Sequence, residues 1–274
     1  IVTLREPSIE SAQEMMLHPD VSLLVVTGGP GVVKQALQSG KKVIGAGAGN
    51  PPAFVDETAD IKKAAQDIVL GASLDNNILC IAEKSVVAMR QIEPQLVQEM
   101  VKAGCILVEN QQDIQRLVDL TVLPNGTPNK KFVGKNASVI LDAAHIPYNG
   151  DPRLIIMRAP KNHPFAVIEM LMPILPVVTV DSFDEGLDVC LMLEAGLHHT
   201  ATMHSLNMER LNRMARKMKT SIFVKNGPSY AGLGFSGEGT TTFTIATPTG
   251  ESTTSARCFA RCRRCCLTTG FNIR

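Results

Sequence analysis

Val21-Ser-Leu-Leu-Val-Val26, then Thr27-Gly-Gly-Pro-Gly31, then Val32–Gln38 reads as a buried strand, a tight glycine turn and a helix closed by Ser39-Gly40. The rhythm repeats downstream. Lys42-Val-Ile44 is a second strand and leads into Gly45-Ala-Gly-Ala-Gly-Asn-Pro-Pro52. Asp60–Ala72 is an amphipathic helix with Ile61, Ala64, Ala65, Ile68 and Val69 on one face. Ser85–Met89 follows as a strand, then Pro94–Lys102 and Asp113–Leu120 as helices. Strands alternating with helices at this spacing predict a parallel α/β architecture. After a loop-rich region over 121–160, strand signals return at Leu154–Met157, Val177–Val180 and Ile222–Val224, and helices at Asp184–Ala195 and Met208–Met218. Residues 226–239 are glycine-rich turns, and 241–273 predict a strand-rich tail.

Composition excludes several partner classes. The 274 residues are 45% hydrophobic and 19% charged, as expected of a soluble globular protein. Lys and Arg number 27 against 26 Asp and Glu, a net charge of +1. That balance removes the electrostatic case for a nucleic-acid or membrane-surface partner. The most apolar stretch, Phe165 to Val180, is broken by Glu169, Pro173 and Pro176, so no membrane span is expected. The chain starts at Ile1 with no secretion-like segment, which predicts a cytosolic protein cut from something longer. Seven cysteines, an odd number, predict free thiols rather than a disulfide scaffold.

Three groups of residues carry candidate chemistry. The glycine turn at Thr27-Gly28-Gly29-Pro30-Gly31 offers backbone N–H groups and a positive helix end to a phosphate. It lacks both the Gly-x-Gly-x-x-Gly spacing and a P-loop lysine, so in isolation it reads rather as a tight β–α turn, and its context is what lifts it. Cys80 sits in a loop behind Asp75, Asn76 and Asn77 and leads narrowly as a thiolate nucleophile. Cys105 and Cys190 lie in apolar runs and read as inert core thiols. Cys258-x-x-x-Cys262-x-x-Cys265 has the spacing of the iron–sulfur loop of radical enzymes that cleave S-adenosylmethionine. Its place at the end of the chain counts against a cluster. So do a strand-like alternation that sets Cys258, Cys262 and Cys266 on one face, and the neighbours Arg257, Arg261, Arg263 and Arg264. The six histidines form no His-Glu-x-x-His pair, so no metal site is expected, and no Gly-x-Ser-x-Gly elbow occurs.

In this order, the segments resemble the aldehyde dehydrogenase superfamily, within it the CoA-acylating propionaldehyde and acetaldehyde dehydrogenases of bacterial microcompartments. Thr27-Gly-Gly-Pro-Gly-Val32, Gly45-Ala-Gly-Ala-Gly-Asn-Pro-Pro52, Val55-Asp-Glu-Thr-Ala59 and Asp75-Asn-Asn-Ile-Leu-Cys80 carry the match in the first third. Glu169-Met-Leu-Met-Pro-Ile-Leu-Pro-Val177, His163-Pro-Phe165, Gly227-Pro-Ser-Tyr-Ala-Gly-Leu-Gly234 and Pro248-Thr-Gly250 carry it further on. The resemblance implies a partial Rossmann-type cofactor domain over 1–47, an α/β catalytic domain over 48–238 and an oligomerisation tail over 239–274. It implies NAD and coenzyme A as cofactors and a short aldehyde as substrate. Cys80 would be the nucleophile, its own N–H helping to hold the oxyanion. Thr27, Gly28, Gly29, Pro30 and Gly31 would hold the cofactor phosphates, and Glu169 the nicotinamide ribose. Leu171 stands beside the nicotinamide, where the broader family has Phe.

Ala46 is the more telling departure, because hydrolytic members carry there a Glu that activates water. A general base contributes about 10²–10⁴-fold, whereas a thiolate needs little such help, so the thioacyl enzyme is expected to react with coenzyme A. The resemblance further implies a homodimer or homotetramer in the cytoplasm, inside a bacterial microcompartment, with shell or lumen enzymes as partners. Family members are longer at the N-terminus; the side-chain amide of the oxyanion hole, a ribose-binding Lys and an encapsulation helix have no counterpart in this sequence. The alternative is a non-catalytic fragment or assembly module of the same fold that lacks the N-terminal cofactor half.

Overall fold

The computed structural model describes residues 1–239, 241–268 and 270. After α1 (Ile9–Leu17), β1 (Leu23–Thr27), α2 (Pro30–Gln38) and β2 (Lys42–Ala46) form a two-stranded parallel sheet backed by α2. The next strands are β3 (Pro52–Val55), β4 (Ser85–Met89), β5 (Cys105–Leu107) and β6 (Leu154–Arg158), followed by β7 (Ile174–Val180), β8 (Thr200–His204) and β9 (Ile222–Lys225). Between them run α3 (Ile61–Ser73), α4 (Glu93–Lys102), α5 (Gln111–Thr121), α6 (Ala137–Ala143), α7 (Pro164–Val167), α8 (Phe183–Glu194) and α9 (Met208–Met218). The seven strands lie in the order β5-β6-β7-β4-β3-β8-β9, and every neighbouring pair is parallel.

Helices on both faces explain why strands such as β4, all five residues buried, read as unbroken apolar runs rather than alternating ones. The helices start where short polar side chains cap them. Asp60 accepts from the Lys63 N–H at 3.0 Å, Ser182 from Glu185 at 3.1 Å and Asn207 from Arg210 at 3.1 Å. The main core lies between the sheet and α3, α4, α8 and α9, including Phe54, Ile68, Val87, Leu96, Leu187 and Met214. A second cluster fills the space between the β5–β6 end of the sheet and α5, α6 and α7. No helix among the described residues is long and apolar enough to cross a membrane.

The topology positions the site. β7, β4, β3 and β8 are contiguous and parallel, so the segments entering them meet at one edge of the sheet. Those segments are residues 169–173, 78–84, 47–51 and 195–199. β2 ends at Ala46, only five residues before β3 begins at Pro52.

The predicted α/β rhythm matches these elements, with differences that have physical reasons. β3 starts at Pro52 inside a Pro-Pro pair that signals a turn; a first strand position needs no ladder N–H. β8, Thr-Ala-Thr-Met-His, looks too polar for a core strand yet is wholly buried. The expected strand-rich tail holds, among the described residues, one short antiparallel pair, β10 (Ile245–Ala246) with β11 (Ser252–Thr253). The cysteine-bearing stretch is a correction to the edge-strand reading. Ser255 opens a single 3₁₀ turn over Ala256–Phe259, and irregular chain follows. The Lys42 ammonium takes the carbonyls of Cys258 at 2.6 Å and Ala260 at 2.8 Å, so those acceptors serve a side chain and not a ladder.

Gly186, inside α8, gives a stability test. A Cβ there would lie 2.4 Å from the ring of Phe54, which is fully buried and stacks on Phe183 at 5.7 Å. Gly→Ala in a helix interior ordinarily gains about 1 kcal/mol, but overpacking costs about 1–3 kcal/mol. Gly186→Ala is expected to lower the urea midpoint with an unchanged slope. A higher midpoint would show that the ring yields freely.

Candidate active site

The Cys80 loop is held from three sides. α3 stops at Ser73, and a turn over Leu74–Asn77 places Asp75, Asn76 and Asn77 at φ 49°, 52° and 65°, a left-handed conformation that Asp and Asn tolerate best. The Asn77 side-chain amide donates to the carbonyls of Ala72 at 2.7 Å and Glu83 at 2.9 Å, tying the two ends of the loop together. Lys84, almost fully buried, donates from Nζ to the carbonyls of Asn77 at 2.9 Å and Leu79 at 2.8 Å. The buried Glu83 carboxyl accepts the Ser229 N–H at 2.8 Å and hydroxyl at 2.7 Å, fastening the loop to the turn after β9. Cys80 stays partly exposed within this frame.

Gly47–Asn50 runs past the loop. The Gly49 N–H donates to Glu169 Oε1 at 3.0 Å. A Cβ on Gly49 would lie 2.6 Å from the Cys80 carbonyl oxygen and 2.8 Å from the His199 ring, so only glycine lets these segments close up. Asn50 donates to the carbonyls of Ala166 at 2.8 Å and Leu193 at 2.7 Å. His199 is fixed by its own N–H on Glu194 at 2.8 Å and by Nδ1 beside the Thr200 hydroxyl at 2.9 Å. Its Nε2 is buried with no partner among the described residues. Leu171 sits at φ 54°, and its carbonyl accepts from the Gly134 N–H at 2.9 Å.

The glycine turn lies beside the end of β2, where the Gly28 N–H donates to the Ala46 carbonyl at 3.0 Å. Thr27, Gly29, Pro30 and Gly31 are exposed, and the first turn of α2 has no side-chain cap. Across β2, the Thr249 hydroxyl accepts the Gly45 N–H at 3.0 Å, which seats Pro248-Thr-Gly250 against the same strand. A cleft of about 740 Å³ flanks the nucleophile loop, lined by Leu74, Leu79, Tyr230, Phe235 and Phe243.

Electrostatics separate the cysteines. Burial pushes the Cys80 thiol up, and the Glu169 carboxylate adds to that, while the Lys84 charge and the N–H groups of Cys80 and Ile81 pull it down. Cys105 is pushed up to about 12 by burial, and burial drives Cys190 higher still. Burial raises Glu169, and the Gly49 N–H and Lys84 hold it back. Glu83 is pushed up to about 7 and Lys84 pulled down to about 8, both by burial, and His199 falls to about 4, which leaves its ring neutral near pH 7. Cys80, Glu169 and Leu171 are thus brought to one edge, with Ala46 at the end of β2. The sequence reading missed Gly49, Asn50, Glu83, Lys84 and His199. Glu83-Lys84, a charge pair entering an apolar strand four residues past Cys80, was the signal available. Among the described residues no group of three or more His, Cys, Asp or Glu is arranged to hold a metal ion.

A parallel α/β fold, with a half-buried, amide-flanked cysteine where its strands begin, sets the class. The family model of the aldehyde dehydrogenase family matches residues 2–246, and the chain belongs to that family. It is 56% identical over 275 residues to a propanal dehydrogenase (CoA-propanoylating) of Citrobacter freundii, covering 100% of this chain and 59% of that protein. A Rhodopseudomonas palustris propionaldehyde dehydrogenase, solved with bound CoA and an acylated Cys, superposes with a TM-score of 0.95 at 49% identity, over 97% of this chain and 61% of that one. A propionaldehyde dehydrogenase from the Clostridium phytofermentans fucose utilisation bacterial microcompartment gives 0.94 at 46% identity, over 98% and 62%. The chain therefore spans about three-fifths of the length of these relatives.

Peptide-resolved labelling with iodoacetamide tests the electrostatics without any cofactor. Glu169→Gln keeps an acceptor for the Gly49 N–H but removes a negative charge, so the pH midpoint of Cys80 labelling should fall. An unchanged or higher midpoint would contradict the assignment of Glu169 as a destabiliser of the thiolate. Cys105 should stay unlabelled while the protein is folded.

Proposed function

We propose that this chain is the catalytic part of an NAD-dependent, CoA-acylating aldehyde dehydrogenase that oxidises a short aldehyde, propionaldehyde or acetaldehyde, to its acyl-CoA. One observation carries the reading: a partly exposed Cys80 in a braced loop, passed by a segment, residues 45–52, that contains Ala46 and no carboxylate to activate water. Of the two carboxyls nearby, buried Glu83 is engaged by Ser229, and partly buried Glu169 accepts the Gly49 N–H through Oε1.

The Cys80 thiolate attacks the aldehyde carbon, and the oxygen takes up the electron pair of the C=O bond, held in part by the Cys80 N–H. NAD⁺, when bound, supplies the hydride acceptor. Collapse of the adduct with loss of hydride leaves a thioester on Cys80. Coenzyme A, when bound, would supply the acceptor thiol for that carbonyl; as its carbon–sulfur bond forms, the Cys80–carbon bond breaks and Cys80 would leave as thiolate, with acyl-CoA as product. Weak general-base assistance to water keeps the thioester available for the thiol. For the cofactor, the uncapped first turn of α2 and the open space at Gly29 and Gly31 suit a phosphate held by the backbone N–H groups of Gly29 and Gly31, since Pro30 has none and Gly28 donates to Ala46. Glu169 would take the nicotinamide ribose, with Leu171 packing beside the ring.

The division into 1–47, 48–238 and 239–274 is supported by the break between the two parallel sheets at 47–51 and, among the described residues, by the lack of any α-helix after α9. A homodimer or homotetramer built through the tail, and a place inside a microcompartment with its shell or lumen enzymes, complete the proposal. The microcompartment origin of the Clostridium phytofermentans relative supports that place.

Incubation with propionaldehyde and NAD⁺ should produce NADH only when coenzyme A is added; equal turnover without it would overturn the reading. Cys80→Ala should abolish turnover, and Cys105→Ala should leave most of it. Propionyl-CoA alone, with no nicotinamide present, should transfer one propionyl group to Cys80, seen as a mass increase on its peptide. A folded protein that does neither is the non-catalytic module.

A further inference from the structure

We infer that Lys84 is a positioning residue for Cys80, its buried ammonium bridging two carbonyls of the nucleophile loop and placing a positive charge behind the thiolate at and below neutral pH. The inference rests on the reading of Cys80 as the nucleophile. Lys84 is 2% exposed, and its Nζ reaches the carbonyls of Asn77 and Leu79, three residues and one residue before Cys80. Its own N–H donates to the Pro51 carbonyl at 2.8 Å, so the same residue ties the loop to the β3 entry that carries Gly49. Burying an ammonium costs several kcal/mol unless it is hydrogen-bonded and paired, so a lysine placed here needs a compensating arrangement. Two carbonyl acceptors and the neighbouring carboxyls of Glu83 and Glu169 supply it.

A lysine that served packing alone would not need its charge. Charge has a consequence at this position, because Cys80 lies in a site where burial and Glu169 both oppose the thiolate. Lys84 and the backbone N–H groups of Cys80 and Ile81 oppose them. The other titratable groups around Lys84 are Glu83 on its own loop, Glu169 from the β7 entry and His199 from the β8 entry. The same ammonium that fixes the loop therefore favours the reacting form of the thiol over the resting one.

Labelling of Cys80 by iodoacetamide, followed by peptide mass analysis, tests this in the full chain. Peptide resolution is needed because Cys262, Cys265 and Cys266 are exposed and open to the same reagent. Lys84→Gln keeps a donor and removes the charge. It should slow Cys80 labelling at pH 7, where the ammonium keeps its proton, about tenfold. Lys84→Arg keeps the charge and should hold that rate near that of the unaltered chain. Should Lys84→Gln fail to fold by circular dichroism, Lys84→Met, which relieves the cost of a buried polar head, carries the same expectation. A pH 7 labelling rate unmoved in the folded neutral variant, whatever its melting temperature, overturns the inference and leaves the nucleophile reading intact. If Cys80 of the unaltered chain labels no faster than Cys105 at any pH, the nucleophile reading falls and the inference falls with it.

Discussion

The site depends on one missing carbon. Gly49 passes between the Cys80 carbonyl and the His199 ring at distances that no side chain survives, and from there its N–H reaches Glu169. Any larger residue would separate the nucleophile loop from the segment that carries Glu169. Close approach is feasible because the four strands entered by these segments are adjacent and parallel, so their beginnings share an edge. Open α/β sheets commonly place ligands at the carboxyl ends of their strands. Here the thiol lies at the amino edge of the seven-stranded sheet, while the glycine turn of β1 and the end of β2 face the site from carboxyl ends. The proposed cofactor and nucleophile sites thus meet where one parallel sheet stops and the other starts.

Around that edge the chain stores polar and conformational cost. Asp75, Asn76, Asn77, Leu171 and His198 all occupy left-handed backbone, and Glu83 and Lys84 are buried side by side. Such features persist only where surrounding structure over-determines them. The bracing is visible here: Asn77 ties α3 to the strand entry, Ser229 satisfies Glu83, and two loop carbonyls satisfy Lys84. A thiol so framed is held by the hydrogen bonds of its own loop, as the proposed attack on a small carbonyl compound would require.

Much of this was legible in the residues. Apolar runs bounded by glycine and polar caps marked β1, β2, β4 and β7 and helices α3, α4, α8 and α9. The polar Asp75-Asn-Asn77 run set Cys80 apart from Cys105 and Cys190, whose apolar neighbours do bury them. The tail was misread in detail, since alternation of Cys and Arg is compatible with a strand but the Ser255 turn and the Lys42 ammonium claim that backbone first. β3 and β8 were hidden because proline and threonine report local preference, and burial on both faces is a property of the sheet.

The sequence by itself determined the alternation of strand and helix and the family resemblance, and it marked Cys80 as the candidate nucleophile, because caps, periodicity and loop polarity act between near neighbours along the chain. Only the tertiary structure decided what surrounds Cys80. Gly49 and Glu169 are 120 residues apart, and Glu83 meets Ser229 across 146. Those meetings follow from the strand order β7-β4-β3-β8, which is set by packing of the whole sheet, and no local pattern of residues encodes it.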